Sequence, residues 1–156
     1  MIIYNRKLNR LPGYDYSKEG WYFVTMNCYG ECLGKIINQE MKLNESGNIV
    51  SHCWDDLPNH YNNCILDQFI IMPDHVHGII RIGKNGSDVG NGLKPFRTDK
   101  KSNLSEIIRG FKTFSSKRIH VINPIFRWHK SFYDRIIRDE KGLMTIRNYI
   151  KDNPKN

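Results

Sequence analysis

Two histidines stand one residue apart in the apolar stretch I-I-M-P-D-H-V-H-G-I-I, residues 70–80. Its β-branched content, divided by Pro73-Asp74, predicts two neighbouring antiparallel strands at 64–72 and 75–82. Successive side chains of a strand point to opposite faces, so His75 and His77 share one face. They form a pair of imidazoles that can bind one metal ion. The alternative is that both are polar positions of a half-exposed strand.

The elements around this stretch predict an α+β fold. Further strands are expected at 21–28 and 126–138, with a hairpin at 32–43. Helices are expected at 44–61, ending at Pro58-Asn59, from Asn103 onward with Asn103 or Ser102 as N-cap, and at 139–153. The order strand, helix, strand, strand, helix, strand, helix predicts a ferredoxin-like antiparallel sheet with helices packed on it.

Length and composition bound the class of protein. With 156 residues, of which 39% are hydrophobic and 12% aromatic, the chain is expected to form one domain over 1–156. No stretch approaches the roughly 18 apolar residues of a membrane span, and the N-terminus lacks the order of a signal peptide. The expected location is the cytoplasm, without a membrane partner. The four cysteines contain no C-x-x-C pair and are expected to be reduced thiols.

The positive charge is concentrated in one half of the chain. Residues 1–78 contain 6 basic and 9 acidic residues, whereas residues 79–156 contain 18 basic and 7 acidic ones. This asymmetry favours a nucleic-acid partner over a merely solvated basic face. The polar, basic segment 83–102 is predicted to be a flexible loop, either closing over a strand or tolerated as an insertion. The side chains expected to contact DNA are Arg109, Lys112, Lys117 and Arg118 on the second helix and Arg127, Lys130, Arg135 and Arg138 on the last strand.

The terminal helix supplies groups that the histidine pair lacks. Tyr149 and Asn153 are four residues apart and so project from the same helix face. A carboxamide oxygen is an acceptable third ligand for Mg²⁺ or Mn²⁺, and a tyrosine beside such a metal is a candidate nucleophile toward a phosphate. Asp152 is the alternative third ligand, although it points about 100° away from Asn153. Tyr133 is the alternative nucleophile.

Four motifs, taken in order, carry a family resemblance. They are M-P-D-H-V-H-G-I-I, L-x-x-I-I-x-x-F-K, W-x-x-x-F-Y-D-R-I-I-R and Y-I-K-D-N-P. In this order they resemble the REP-associated tyrosine transposases, within the single-tyrosine HUH transposases of insertion sequences. HUH denotes histidine, hydrophobic residue, histidine, here His75-Val76-His77. The resemblance covers roughly residues 21–156, and the combined order of motifs is far more specific than any one of them.

The resemblance implies a reaction and roles for individual residues. His75, His77 and Asn153 would bind the divalent cation, and Tyr149 would attack a phosphodiester of single-stranded DNA at a hairpin-containing site. The products would be a 5′-phosphotyrosine and a free 3′-hydroxyl that can later reverse the reaction on another strand. Some members of the superfamily act as homodimers that exchange the tyrosine helix, and others build the site within one chain. The alternatives are a non-catalytic ferredoxin-like nucleic-acid-binding module and a metal-dependent nuclease that uses water.

Overall fold

The computed structural model describes residues 11–16, 18–83 and 101–155, so most of the loop expected at 83–102 lies outside the described residues. The strands are β1 (Gly20–Asn27), β2 (Gly34–Ile37), β3 (Glu40–Leu43), β4 (Cys64–Ile71), β5 (His75–Ile82) and β6 (Tyr133–Ile137). The helices are α1 (Glu45–Asp55), α2 (Leu57–His60), α3 (Leu104–Ile119) and α4 (Glu140–Asp152), and a 3₁₀ turn, Asn153–Lys155, follows α4. Within the described ranges, no helix is long and apolar enough to cross a membrane.

The main sheet confirms the predicted ferredoxin-like α+β fold. Its antiparallel strands lie in the order β4-β5-β1-β6, and β2 pairs with β3 as a separate hairpin. β1 is therefore a central strand. The connection that contains α3 leads from β5 on one side of β1 to the edge strand β6 on its other side. In the register of this sheet, His75 pairs with Asn27 and His77 pairs with Thr25.

Each face of the sheet has its own buried cluster. On one face, alternate residues of β1, namely Tyr22, Val24 and Met26, pack with side chains of α1 and α3. On the other face, Ile79 and Ile137 pack with Leu143, Ile146 and Ile150 of α4, beside Trp21, Phe23 and Ile70. Because β5 alternates in the same way, its histidines lie on the α4 face.

Side-chain caps fix where the helices begin. Asn44 accepts a hydrogen bond from the backbone of Gly47 at the start of α1, and Asp139 accepts one from Gly142 at the start of α4. The predicted cap at Asn103 is confirmed as a capping box with Glu106. Capping oxygens satisfy backbone N–H groups that have no partner within the helix. The start of the tyrosine helix is thus set by local sequence.

The structure corrects two predicted elements. The helix expected at 44–61 is divided at Asp56, because Pro58 has no N–H for the carbonyl of Trp54 and its ring would clash there. The strand expected at 126–138 is ordered as a strand only from Tyr133. Before that point, an isolated bridge joins Trp128 to Cys28, and the Lys112 ammonium donates to the carbonyls of His129 and Ser131, both at 2.8 Å.

Candidate active site

The histidine pair is preset to offer one nitrogen from each ring. The two ring centroids are 4.7 Å apart. His75 Nδ1 lies 2.6 Å from Asp74 Oδ1, and His77 Nδ1 lies 2.8 Å from Thr25 Oγ1. When Nδ1 carries the proton and donates it to these oxygens, both Nε2 atoms keep a lone pair for a metal. Asp74 and Thr25 therefore orient the two imidazoles through hydrogen bonds at their Nδ1 atoms.

Burial keeps one of the two imidazoles neutral. The side chain of His77 is buried, with a residue exposure of 7%. That burial, reinforced by the neighbouring His75, lowers the pKa of His77 from its ordinary value to about 4. A neutral imidazole is the form that binds a metal, so His77 needs no deprotonation at neutral pH.

Tyr149 lies against this pair within the same chain. Its ring centroid is 5.5 Å from that of His77 and 6.2 Å from that of Phe23, both in edge-to-face geometry. The residue is nevertheless 48% exposed, so the ring is held on one side and open on the other. Such a tyrosine can meet a phosphate that approaches the histidines. Tyr133, the alternative nucleophile, is also exposed, and it lies opposite Thr25 in the pairing of β6 with β1.

Asn153 gives the best evidence for a third metal ligand. It begins the turn after α4, is only 9% exposed, and its Nδ2 has no hydrogen-bond partner among the described residues. An amide can be turned over so that Oδ1 takes the place of Nδ2, which would convert this unsatisfied position into a metal-ligating oxygen. Asp152, the alternative ligand, is exposed. Two imidazole nitrogens and one carboxamide oxygen form a donor set that fits a divalent cation.

Carboxylates and thiols do not offer a rival site. In the part of the chain that the structure describes, no group of three His, Cys, Asp or Glu side chains is placed to hold a metal. The thiols of Cys28 and Cys32 approach to 2.7 Å, but they have no such third partner. His75 and His77 with the amide of Asn153 stay the predicted ligands.

A salt bridge attaches the tyrosine helix to the sheet. Arg147 of α4 donates from Nε to Asp67 Oδ1 at 2.9 Å and from Nη2 to Asp67 Oδ2 at 2.5 Å. The same guanidinium lies 5.7 Å from the ring centroid of Trp21. Since Arg147 is two residues before Tyr149, these contacts restrain the segment that carries Tyr149. Asp67 and Arg147 are 80 residues apart, and no local pattern in the sequence pointed to their pairing.

The predicted DNA-contacting residues are divided between the two faces. The four on α3 lie on the helix that packs against the face opposite the histidines, and Arg118 there points to Cys53 of α1 at 3.6 Å. Burial lowers the pKa of Lys112 to about 8. Arg109, Lys112 and Lys130 line one groove of about 350 Å³. Arg135 and Arg138 line a cleft of about 630 Å³ between β6 and the start of α4.

Comparison with known proteins places the chain in a family. No protein-family model matches it. An uncharacterized protein of Haemophilus influenzae is 38% identical over 161 residues, which cover 97% of this chain and 89% of the relative. A solved REP-associated tyrosine transposase bound to a REP hairpin superposes with a TM-score of 0.61 at 18% identity, covering 91% of this chain and 70% of the transposase. The chain thus belongs to one family with the Haemophilus influenzae protein, and the resemblance of its motifs to the REP-associated tyrosine transposases is confirmed in its fold.

Proposed function

We propose that this protein is a DNA transposase that cleaves and rejoins single-stranded DNA through a 5′-phosphotyrosine on Tyr149. His75, His77 and Asn153 would hold Mg²⁺ or Mn²⁺. The observation that carries the proposal is the ring contact of Tyr149 with His77, at 5.5 Å between centroids. The buried amide of Asn153, whose Nδ2 has no hydrogen-bond partner among the described residues, supports it. A packing tyrosine needs no half-exposed ring next to two metal-ligating nitrogens, whereas a nucleophile does.

The chemistry follows from what these residues can do. Tyr149 Oη attacks the scissile phosphorus, the Tyr–O–P bond forms as the P–O3′ bond breaks, and the departing O3′ takes up a proton as the tyrosine gives one up. One phosphoester replaces another, so the reaction is reversible without an external energy source. A bound divalent cation supplies Lewis-acid polarisation of the phosphate oxygens and helps to orient the scissile group. Asp74 and Thr25 lie at the Nδ1 atoms of the two imidazoles, and a proton on each Nδ1 would leave Nε2 free for the cation.

The arrangement supports a site built within one chain. Tyr149 contacts His77 of its own chain, which supports a site completed without a partner's tyrosine. The solved transposase with the same fold was bound to a REP hairpin, which supports a hairpin-containing substrate here. We therefore propose a self-sufficient protomer acting on hairpin DNA with unpaired flanks.

An adduct assay tests this function. A labelled DNA hairpin with single-stranded tails is incubated with the protein and Mn²⁺, and denaturing electrophoresis detects any covalent complex. We expect an adduct with the parent protein and with Tyr133→Phe, and none with Tyr149→Phe. Tyr133 is the matched control because it is an exposed tyrosine on the same sheet face.

The other outcomes identify the alternatives. Cleavage that continues in Tyr149→Phe without any adduct would show a water-using nuclease. Binding without cleavage by the metal-loaded parent protein would show a non-catalytic module. An adduct that disappears only in Tyr133→Phe would move the nucleophile to β6. Each of these results contradicts the proposal for Tyr149.

A further inference from the structure

The strand pairing beyond the histidines extends the same sheet face. Cys28 bridges to Trp128, Tyr29 N donates to the Arg127 carbonyl at 3.1 Å, and His129 N donates to the Asn27 carbonyl at 2.8 Å. Cys28 and Trp128 are buried in the cluster of the opposite face. The immediate neighbours of a bridged pair project opposite to it, so Tyr29, Arg127 and His129 are expected on the histidine face.

These three side chains form a group, called here the stacking cluster, in which Tyr29 and Arg127 are exposed and His129 is half-buried. The ring centroids of Tyr29 and His129 are 4.2 Å apart with 37° between their planes. The Arg127 guanidinium carbon lies 5.4 Å from the centroid of the Tyr29 ring. Tyr29 is nevertheless 59% exposed. A large ring held by its backbone and by a cation, yet left open to solvent, is the arrangement on which single-stranded nucleic acids stack their bases.

The stacking cluster lies beside the proposed reaction centre. Along β1, the α4 face carries Phe23, then Thr25 opposite His77, then Asn27 opposite His75, and Tyr29 follows two residues after the strand ends. Tyr149 contacts Phe23 and His77, at the other end of this row. Tyr29 follows Asn27 by two residues, or about 7 Å of extended chain. That is about the rise of two stacked nucleotides of one strand. In the order of this row, the histidines come between Tyr149 and the stacking cluster.

We propose that Tyr29, Arg127 and His129 form a binding site for an unpaired nucleobase of the DNA strand, within about two nucleotides of the scissile phosphate. The site rests on the proposed function for its substrate and extends it by assigning a base-binding position. The ring of Tyr29 supplies the stacking surface with His129 beside it, and Arg127 supplies positive charge to the same strand. Stacking tolerates every base, so the site fixes the position of the strand and not its sequence.

A binding experiment on the Tyr149→Phe background separates this inference from the catalytic proposal, because no covalent step can occur there. The probe is a fluorescent DNA hairpin with unpaired tails, and a series of probes has one abasic position each. We expect Tyr29→Ala to weaken binding by about 5- to 100-fold and Tyr29→Phe to stay within about threefold of the parent. Ile125→Ala, another highly exposed apolar side chain, is the matched control for loss of surface area.

The abasic series supplies the decisive comparison. The parent should lose affinity at one tail position, and Tyr29→Ala should be insensitive to base removal at that same position. Arg127→Gln provides a second variant, which should weaken binding and reduce its salt dependence. If Tyr29→Ala binds like Ile125→Ala, or remains sensitive at every position where the parent is, the stacking site is refuted. A failed adduct assay with an intact abasic effect would refute only the chemistry.

Discussion

Loss of the salt bridge between Asp67 and Arg147 should release the tyrosine helix from the sheet. Arg147→Gln keeps most of the side-chain length but removes the charge and the paired N–H donors. It leaves the Asp67 carboxylate with the backbone N–H of Gln68, at 2.8 Å, as its remaining partner. It also removes the cation from beside Trp21. Asp67→Asn breaks the same bridge but leaves the Arg147 guanidinium beside the Trp21 ring.

The expected size of the effect follows from partial burial. The side chains of Arg147 and Asp67 are 31% and 15% exposed. Fully exposed pairs contribute up to about 1 kcal/mol, and breaking a buried pair costs about 3–5 kcal/mol. A partly buried, bidentate ion pair should therefore contribute about 2 kcal/mol to the free energy of unfolding. This corresponds to a fall of about 4–8 °C in Tm and to a rise of at least about tenfold in the undocked fraction of α4.

Thermal unfolding and the rate of adduct formation measure the two consequences. Both substitutions should lower Tm and slow adduct formation at saturating DNA, with the larger effect for Arg147→Gln. The double variant should cost less than the sum of the two single variants, since they break one interaction. Lys151→Gln, an exposed basic residue of the same helix, is the control for charge. If both variants match Lys151→Gln in Tm and rate, the bridge does not position Tyr149.

Three further predictions concern the residues around the histidine pair. Gly78→Ala should cost about 1–3 kcal/mol in the free energy of unfolding, because a Cβ there would lie 2.5 Å from the Trp54 ring; Gly20→Ala, with nearest atoms at 3.7 Å, is the control. Thr25→Val should weaken Mn²⁺ binding by about 10- to 100-fold in calorimetry, whereas Thr145→Val should not. The metal-free protein should lose up to about 3 kcal/mol of stability between pH 6.5 and 4, since the unfolded chain protonates His77 more readily than the folded one. His77→Asn should flatten that part of a pH series of denaturation curves, and His52→Asn should not.

Local periodicity was enough to predict the parts of the fold that local interactions decide. The two strands around Pro73-Asp74 and the capping residue Asn103 follow from spacing within a few residues. The helix expected at 139–153 ends one residue earlier, so that Asn153 lies in the turn after α4. The irregular path before Tyr133 does not follow from such spacing, because it depends on Lys112 reaching two carbonyls from another element. Nothing in an alternating aromatic and basic run reveals such a partner.

The same limit applies to the candidate site. The sequence could predict that His75 and His77 share a face, since that requires only the period of a strand. It could not predict that Thr25 orients His77, or that Tyr29 lies beyond His75, because both depend on the register between β1 and β5. Register is fixed by the packing of whole strands and not by either strand alone. Long-range pairs such as Asp67 and Arg147 are hidden for the same reason.

Gly78, which follows the second histidine, has a structural reason of its own to be part of the motif H-V-H-G. His75 and His77 face α4 and Tyr149, whereas Val76 and Gly78 face the opposite cluster. There the Trp54 ring lies where a Cβ on residue 78 would be, and it stacks on Phe69 at 4.2 Å between centroids. Alternate residues of β5 therefore serve two purposes. His75 and His77 face α4, and Gly78 allows the Trp54 ring to approach closely on the other face. A shift of β5 by one residue would exchange the two faces and lose both, so the packing of Trp54 over Gly78 helps to keep the histidines directed toward Tyr149.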